Sequence, residues 1–250
     1  MTATLEEFPS GWQRAAVIVA HPDDIEWGSA AAVAAWTAAG RIVSYVLVTS
    51  GEAGIDTLDP AAAKLARQAE ERSSGEIVGV SAIEFLDHPD GRVVEDLTLR
   101  GDLAAAIRRH RPDVVVAQNH AERWGTGPGA GWNSADHRAV GRATIDAVSD
   151  AGNRWIFPDL PGEPWAGVQW IAVPHSPQET HAVDVSAVLD KAIASLVAHE
   201  QYLRGIGIDE PVAFATQLIE GQTSSVAERF GGRAGVAFEL IPGPAAPRAD

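Results

Sequence analysis

Ala15-Ala16-Val17-Ile18-Val19-Ala20-His21-Pro22-Asp23-Asp24 decides how the rest of the chain is read. A short apolar run bounded by polar residues reads as a buried strand. The imidazole and two carboxylates that follow stand where that strand leaves its sheet. Open α/β sheets bind ligands just beyond the carboxyl ends of their strands. His21 and Asp24, three residues apart, can turn toward one cation while Asp23 between them points elsewhere. A third ligand is offered by His137 in Ser134-Ala135-Asp136-His137-Arg138, at a second loop-to-helix junction.

Outward from this stretch, strand-like segments recur at residues 42–49, 82–86 and 113–118, separated by helical patterns at 28–39, 61–78 and 97–110. That alternation predicts an α/β fold, a Rossmann-like three-layer sandwich with a mostly parallel central sheet. The helix at 61–78 carries Lys64, Arg67, Glu70, Glu71 and Arg72 at three-to-four spacing, which reads most simply as a solvated, salt-bridged face. Residues 120–133, where Gly125, Gly127, Gly129 and Gly131 interleave with Trp124 and Trp132, read as a long mobile binding loop. A helix over 135–150 follows, capped by Ser134 or Asp136. Beyond it the pattern gives a strand at 168–173, a helix at 187–203, a strand at 234–241 and a frayed tail from 242. The chain reads as one domain over 1–250, with a core at about 13–150 and a substrate-covering part at about 151–241.

Composition removes several classes. With 46% hydrophobic and 21% charged residues, neither disorder nor a fibrous class is attractive. A formal charge of −15 argues against nucleic acid or an anionic membrane as partner, since both need clustered Lys and Arg. No apolar run approaches the roughly 18 residues of a membrane span. The first eight residues lack a basic start followed by an apolar stretch, which makes the cytoplasm the expected location. Zero cysteines leave any metal to His and carboxylate. A glycine-rich phosphate turn does not follow Ala20, so a dinucleotide cofactor is not expected. Nothing in the sequence decides the oligomeric state, and a homo-oligomer stays open.

Two His and one carboxylate, with a position left for water, are what a hydrolytic zinc site requires. His21, Asp24 and His137 supply that set, and Asp23 is left over as a carboxylate able to take a proton from water attacking an acyl carbon. Taken singly, each piece has a plain structural explanation. Asp23 and Asp24 suit a helix N-terminus, and a lone His137 near a helix start is more often structural. Their joint placement at one predicted sheet edge favours the metal site.

The arrangement resembles the LmbE-like, or PIG-L, family of metal-dependent N-acetyl sugar deacetylases. Ala20 to Asp24 matches the family's opening Ala-His-Pro-Asp-Asp, and Asp136-His137 its later Asp-His before a helix. Between them, Val48-Thr49-Ser50-Gly51-Glu52-Ala53-Gly54, then Arg67 and Glu70, then Pro89-Asp90-Gly91 keep the family order. The resemblance is close over residues 17–145 and loose beyond, through Lys191 and Ala198-His199. It implies His21, Asp24 and His137 as ligands of Zn2+ or another divalent transition metal such as Fe2+, and Asp23 as general base. The implied substrate is a small N-acylated amino sugar or glycoside, with removal of an acyl group, acetyl first among them. A larger-amide hydrolase, such as a thiol-conjugate amidase, and a non-catalytic metal- or sugar-binding homologue are the rivals.

One departure matters. Several family members carry a histidine three residues before the ligating histidine, where this chain has Ser134. A serine hydroxyl cannot act as an imidazolium proton source. Three outcomes stand open: Asp23 returns the proton it took, His120 or His175 substitutes, or turnover is weak. Among the remaining candidates, Arg67 either pairs with an acid near the pocket or lies on the helix surface. Asp90 lies within the matched motif, and Asp136 either orients a ligand or caps the helix. Trp27, Trp124 and Trp132 are available to stack on a sugar, while Trp36 reads as core.

Overall fold

The computed structural model describes residues 4–124 and 129–247. Gly125 and Gly127, from the expected mobile loop, lie outside the described residues, as do Met1 to Ala3 and the last three residues of the tail.

The elements in chain order are β1 (Glu6–Glu7), β2 (Arg14–Val19), α1 (Asp24–Gly28), α2 (Ala30–Ala38), β3 (Ile42–Leu47), α3 (Pro60–Ile77), β4 (Ala82–Phe85), α4 (Leu97–His110) and β5 (Val114–Ala117). They continue with α5 (Ala135–Gly152), β6 (Trp170–Pro174), β7 (His181–Asp184), α6 (Leu189–Val197), α7 (Glu200–Gly205), α8 (Pro211–Ser225) and β8 (Gly235–Pro242). Among the described residues the strands form one eight-stranded sheet in the order β1-β7-β8-β6-β5-β2-β3-β4. Only β8 runs antiparallel to its neighbours β6 and β7, so the sheet is mostly parallel.

The uninterrupted apolar character of β2 has a direct cause. Ala15, Val17 and Val19 face one core with α2, while Ala16, Ile18 and Ala20 face a second core built on α4 and α5. A strand covered by helices on both faces has no solvent side to mark with polar residues. The chain leaves β2 toward β3 and β4, then returns to place β5 on the other flank of β2. The order therefore reverses at the carboxyl ends of β2 and β5, where a crevice opens in doubly wound sheets.

Several expected elements are corrected. The helix expected at 28–39 begins at Asp24 and is interrupted at Ser29 (φ −134°), giving α1 and α2. The helix expected at 187–203 is divided at Ala198 and His199 into α6 and α7, and the His199 ring at the break faces a buried acidic cluster. Helix α8 carries no strong stripe to reveal it, although Pro211 stands at its first turn. The tail is tied down as far as Ala246: Gly243 N donates to Gln169 O (2.8 Å) and Ala245 N to Val168 O (2.9 Å). Residues flanking 125–128 are also pinned, by a bridge between Arg123 and Trp132 and by Trp124 N donating to Gly131 O (2.9 Å). Trp36 is core, as expected, stacked with Phe238 and edge-on to Trp12. Among the described residues no helix is long and apolar enough to cross a membrane.

Candidate active site

The crevice at the ends of β2 and β5 is a cavity of about 940 Å³. His21, Asp23 and Asp24 line it from the β2 turn, Gln118 and Asn119 from the end of β5, and His137 from the start of α5. Arg67 and Tyr202 close one side, and Trp27, Trp124 and His175 another.

The turn after β2 separates its two acids. Asp23 has a left-handed backbone (φ 91°), and the helix begins at the next residue. Asp24 folds back to accept from His21 N–H (2.8 Å) and faces both imidazoles, at 3.3 Å from His21 Nδ1 and 3.0 Å from His137 Nε2. Asp23 instead meets the Arg67 guanidinium at 2.5 Å.

The outer nitrogens decide what the inner ones can do. His21 Nε2 lies 3.1 Å from Asp90 Oδ1 and 3.2 Å from Asp136 Oδ2. His137 Nδ1 lies 3.0 Å from Asn133 Oδ1, whose amide nitrogen is committed to the carbonyls of Asn119 and Ala121. Carboxylate and carbonyl oxygens only accept, so each outer nitrogen carries the hydrogen. The inner lone pairs, His21 Nδ1 and His137 Nε2, then converge at 3.2 Å. Ligating histidines are oriented in this way, by an acceptor on the far nitrogen. Donor atoms of His21, Asp24 and His137 all lie within 4.8 Å of one another. The two inner nitrogens are 3.2 Å apart, and each has one Asp24 oxygen within 3.3 Å, Oδ2 beside His21 and Oδ1 beside His137, spacings on the scale of ligand atoms that share an ion at about 2.0–2.2 Å. The residues fit a divalent ion.

Charge follows the same division. Burial alone would raise Asp24, but the His137 and His21 imidazoles outweigh it and hold the carboxyl well below the usual range. Burial raises Asp23 to about 6, against the pull of Arg67. His21 is lowered by burial but raised more by Asp24 and the flanking carboxylates, and ends well above its ordinary value.

Around this centre the expected supporting residues divide. Asp136 accepts from Gly91 N (2.8 Å) and Val93 N (3.1 Å), so it ties the 90–93 loop to His21 in addition to sitting in the first turn of α5. Asp90 accepts from Ala53 N (2.8 Å). Arg67 corrects the surface reading of α3: it is 2% exposed and Glu71 is fully buried, while Arg72 points outward. A buried guanidinium needs partners, and Arg67 donates to Pro22 O, Gly51 O and Asp23 Oδ1 and lies 3.8 Å from the centre of the Tyr202 ring. Gly51 (φ +64°) and Gly54 leave room for it, since a Cβ on either would collide with the guanidinium.

His120 and Trp132 do not line the cavity. Trp132 is 59% exposed and packs under Arg123 and Arg138. Trp124 takes the inward place, edge-on to His137. His120 is half-buried beside Gly141, and burial lowers its imidazole. Ser134 is exposed, at the N-cap of α5 but without a capping side-chain bond. His175 does line the cavity, and its Nε2 donates to Trp27 O (3.2 Å).

The residues missed in sequence come from late in the chain. Tyr202 has its hydroxyl raised by burial and by the Asp23 charge. Glu179, Gln222 and Arg229 line the far part of the cavity. Asn133, just ahead of the α5 N-cap, is the exception, and its place beside the Ser134-to-Arg138 stretch was a readable signal.

A mostly parallel α/β sheet whose switch point opens onto converging imidazoles and carboxylates defines a protein with a candidate metal centre at the strand ends. The chain belongs to the PIG-L family, GlcNAc-PI de-N-acetylase, which it matches over residues 16–148. It is 30% identical to diacetylchitobiose deacetylase of Thermococcus kodakarensis over 72% of this chain and 66% of that protein. It is 31% identical to 1D-myo-inositol 2-acetamido-2-deoxy-alpha-D-glucopyranoside deacetylase of Kineococcus radiotolerans over 54% of this chain and 45% of that protein. The matches thus span from about half to two thirds of these relatives' own lengths. The fold is that of N,N'-diacetylchitobiose deacetylase from Pyrococcus horikoshii, solved with its inhibitor MPG, with a TM-score of 0.78 at 23% identity over 93% of this chain and 85% of that one. The resemblance read from the sequence is borne out at the level of family and fold.

Proposed function

We propose that this chain is a metal-dependent N-deacetylase that hydrolyses the acetamide of an N-acetylglucosamine-type sugar or glycoside. The observation that carries the reading is the pair of inner imidazole nitrogens, meeting beside Asp24 with a second carboxyl, Asp23, at the preceding position and turned to Arg67. His21, Asp24 and His137 would hold a zinc-type ion. A divalent ion there supplies a Lewis acid and acidifies water in the site.

The chain's own residues do the rest. Asp23 accepts the proton of the attacking water at its carboxylate, while Arg67 fixes its direction and keeps it ionised against burial. The proton then returns from Asp23 to the departing nitrogen as the C–N bond breaks, giving a free amine and acetate. With a pKa of about 6, Asp23 exchanges protons near neutrality. Of the three proton routes that Ser134 left open, this return is the one the geometry supports. His120 lies outside the cavity, and His175, whose imidazole burial lowers, commits its Nε2 to Trp27 O. Trp124 and Trp27 offer faces for sugar stacking. At about 940 Å³ the cavity accommodates a sugar together with its aglycone or a second sugar.

Metal-loaded protein is expected to release amine and acetate from N,N'-diacetylchitobiose or N-acetylglucosamine, and metal-stripped protein is not. Release of a larger acid from a bulkier amide, without acetate release, would replace this reading with the amidase. Binding of an intact acetamide with no amine formed would replace it with a non-catalytic role.

A further inference from the structure

Beneath the β2 turn lies a buried cluster that the proposed chemistry does not use. Glu26 of α1, Glu71 of α3 and His199, just before α7, are each fully buried or nearly so. His199 Nε2 stands 3.3 Å from Glu26 Oε2 and 3.7 Å from Glu71 Oε2. Glu71 Oε2 in turn accepts the backbone N–H of Asp23 at 3.2 Å. Asp23 is a non-glycine residue at φ 91°, a backbone conformation that persists only where its surroundings enforce it.

One pair of residues grips Asp23 at its two ends, and a second pair backs the first. On α3, Arg67 and Glu71 are one turn apart and project the same way. Arg67 holds the Asp23 carboxylate and Glu71 holds its amide. From the C-terminal part come His199 and Tyr202, three residues apart. Tyr202 covers the Arg67 guanidinium at 3.8 Å, and His199 faces Glu71. The side chain and the backbone of Asp23 are thereby each held by one residue of α3, backed by one residue of the 199–202 turn.

We propose that Glu71 and His199 are positioning residues for Asp23, fixing its left-handed backbone so that its carboxylate stays apart from Asp24 and aimed into the cavity. The inference rests on Asp23 being the base. The cluster has a second chemical option, because the donor atoms of Glu26, Glu71 and His199 lie within 4.8 Å of one another and could enclose a cation. The hydrogen bond from Asp23 N to Glu71 Oε2 favours positioning, since it ties the cluster directly to the Asp23 backbone.

The test uses the metal-loaded full chain and the variants Glu71→Ala, Glu71→Gln and His199→Gln, with amide hydrogen exchange at Asp23 read by NMR and turnover measured on N,N'-diacetylchitobiose. Glu71→Ala is expected to expose the Asp23 amide to exchange, keep one equivalent of metal and leave KM nearly unchanged. Its kcat should fall by about 10- to 100-fold, the scale of a misplaced catalytic group. Glu71→Gln, whose amide oxygen still accepts from Asp23 N–H, should recover most of both losses. His199→Gln should fall between the two. Unchanged Asp23 protection in Glu71→Ala overturns the proposal whatever the turnover. So does a second equivalent of metal that His199→Gln removes. Asp23→Asn separates the two levels: full turnover there overturns the base itself, whereas lost turnover there beside undiminished kcat in Glu71→Ala overturns the positioning alone.

Discussion

His21 Nδ1 and His137 Nε2 meet at 3.2 Å across 116 residues of sequence, and the far nitrogen of each ring is occupied by an oxygen acceptor. Two unprotonated nitrogens pointed at one another repel unless something positive lies between them. The second ring of residues thus enforces an arrangement that only a proton or a cation makes favourable.

His137→Ala is expected to abolish stoichiometric metal binding, measured by elemental analysis after gel filtration. Asn133→Ala, which frees the far nitrogen of His137, should weaken metal affinity by about 10- to 100-fold. Equal metal content in wild type and His137→Ala would remove His137 from the ligand set.

Asp23→Asn should retain the metal and lose turnover by roughly 100- to 10,000-fold, the range for a general base. In the wild type the base form of Asp23 exists above its pKa of about 6, so kcat/KM should fall as the pH drops through that value. A cation beside it lowers the limb further. A pH profile in Asp23→Asn that keeps the same acid limb would assign it to another group.

Metal affinity itself should weaken toward acid. The carboxylates around His21 hold its imidazole well above the ordinary value, so protons compete with the ion for the inner nitrogen. Each proton displaced on binding makes the apparent Kd about tenfold weaker per pH unit lowered. Titration calorimetry at pH 8 and pH 6 in two buffers checks both the slope and the proton release. A Kd independent of pH would contradict the imidazole ligands.

Stability should decline on the alkaline side. Burial lowers the His199 imidazole, but Glu26 and Glu71 outweigh it and raise the group to about 9, with Asp23 adding to the effect. His199 is therefore charged in the fold up to about pH 9, and in the unfolded chain only below its ordinary value near 6.5. The stabilisation is complete below about 6.5 and is lost as pH rises through about 9, on the order of 3 kcal/mol in all. Glu71, which burial also holds well above its usual range, acts in the same direction. Tyr45, facing both glutamates, is likewise held high and stays neutral through this window. Denaturant midpoints at pH 6.5 and 9.5 measure the loss, and His199→Gln should flatten it.

Gly51→Ala should cost about 1–2 kcal/mol from the left-handed backbone alone, and more from the collision with Arg67. Because Arg67 holds Asp23, kcat should fall with stability. Thermal melting together with turnover reads both, and an unchanged kcat would uncouple Arg67 from the base.

Much of this was legible locally. The uninterrupted apolar stretch ending at Ala20 encodes a strand covered on both faces, since any solvent side would have selected polar residues. A strand end is where the chain must turn, so His21-Pro22-Asp23-Asp24 could be assigned to the sheet edge before any distance was known. The split between Asp24 and Asp23 follows from their being neighbours across a turn into a helix.

Other features depended on what packs against what. Periodicity placed Arg67 and Glu71 on a solvated face of α3, but the helix is rotated so that Leu65 is exposed and both charges are buried. No local pattern distinguishes the two, because a charged stripe suits solvent and a buried ionic network equally well. His120 and Trp132 stood beside the right loop and do not line the cavity, whereas Tyr202 and His175 reach it from late in the chain.

Sequence alone determined the strand, the turn and the kinds of donor at its end, because these are set by bonds between neighbours. The tertiary structure decided which nitrogen of each imidazole faces inward and which acid carries a guanidinium. It also decided which late residues hold Asp23 in place. Most of those outcomes depend on contacts between residues far apart in sequence, such as Arg67 with Asp23 and His21 with His137, and only packing the helices onto both faces of the sheet fixes such contacts.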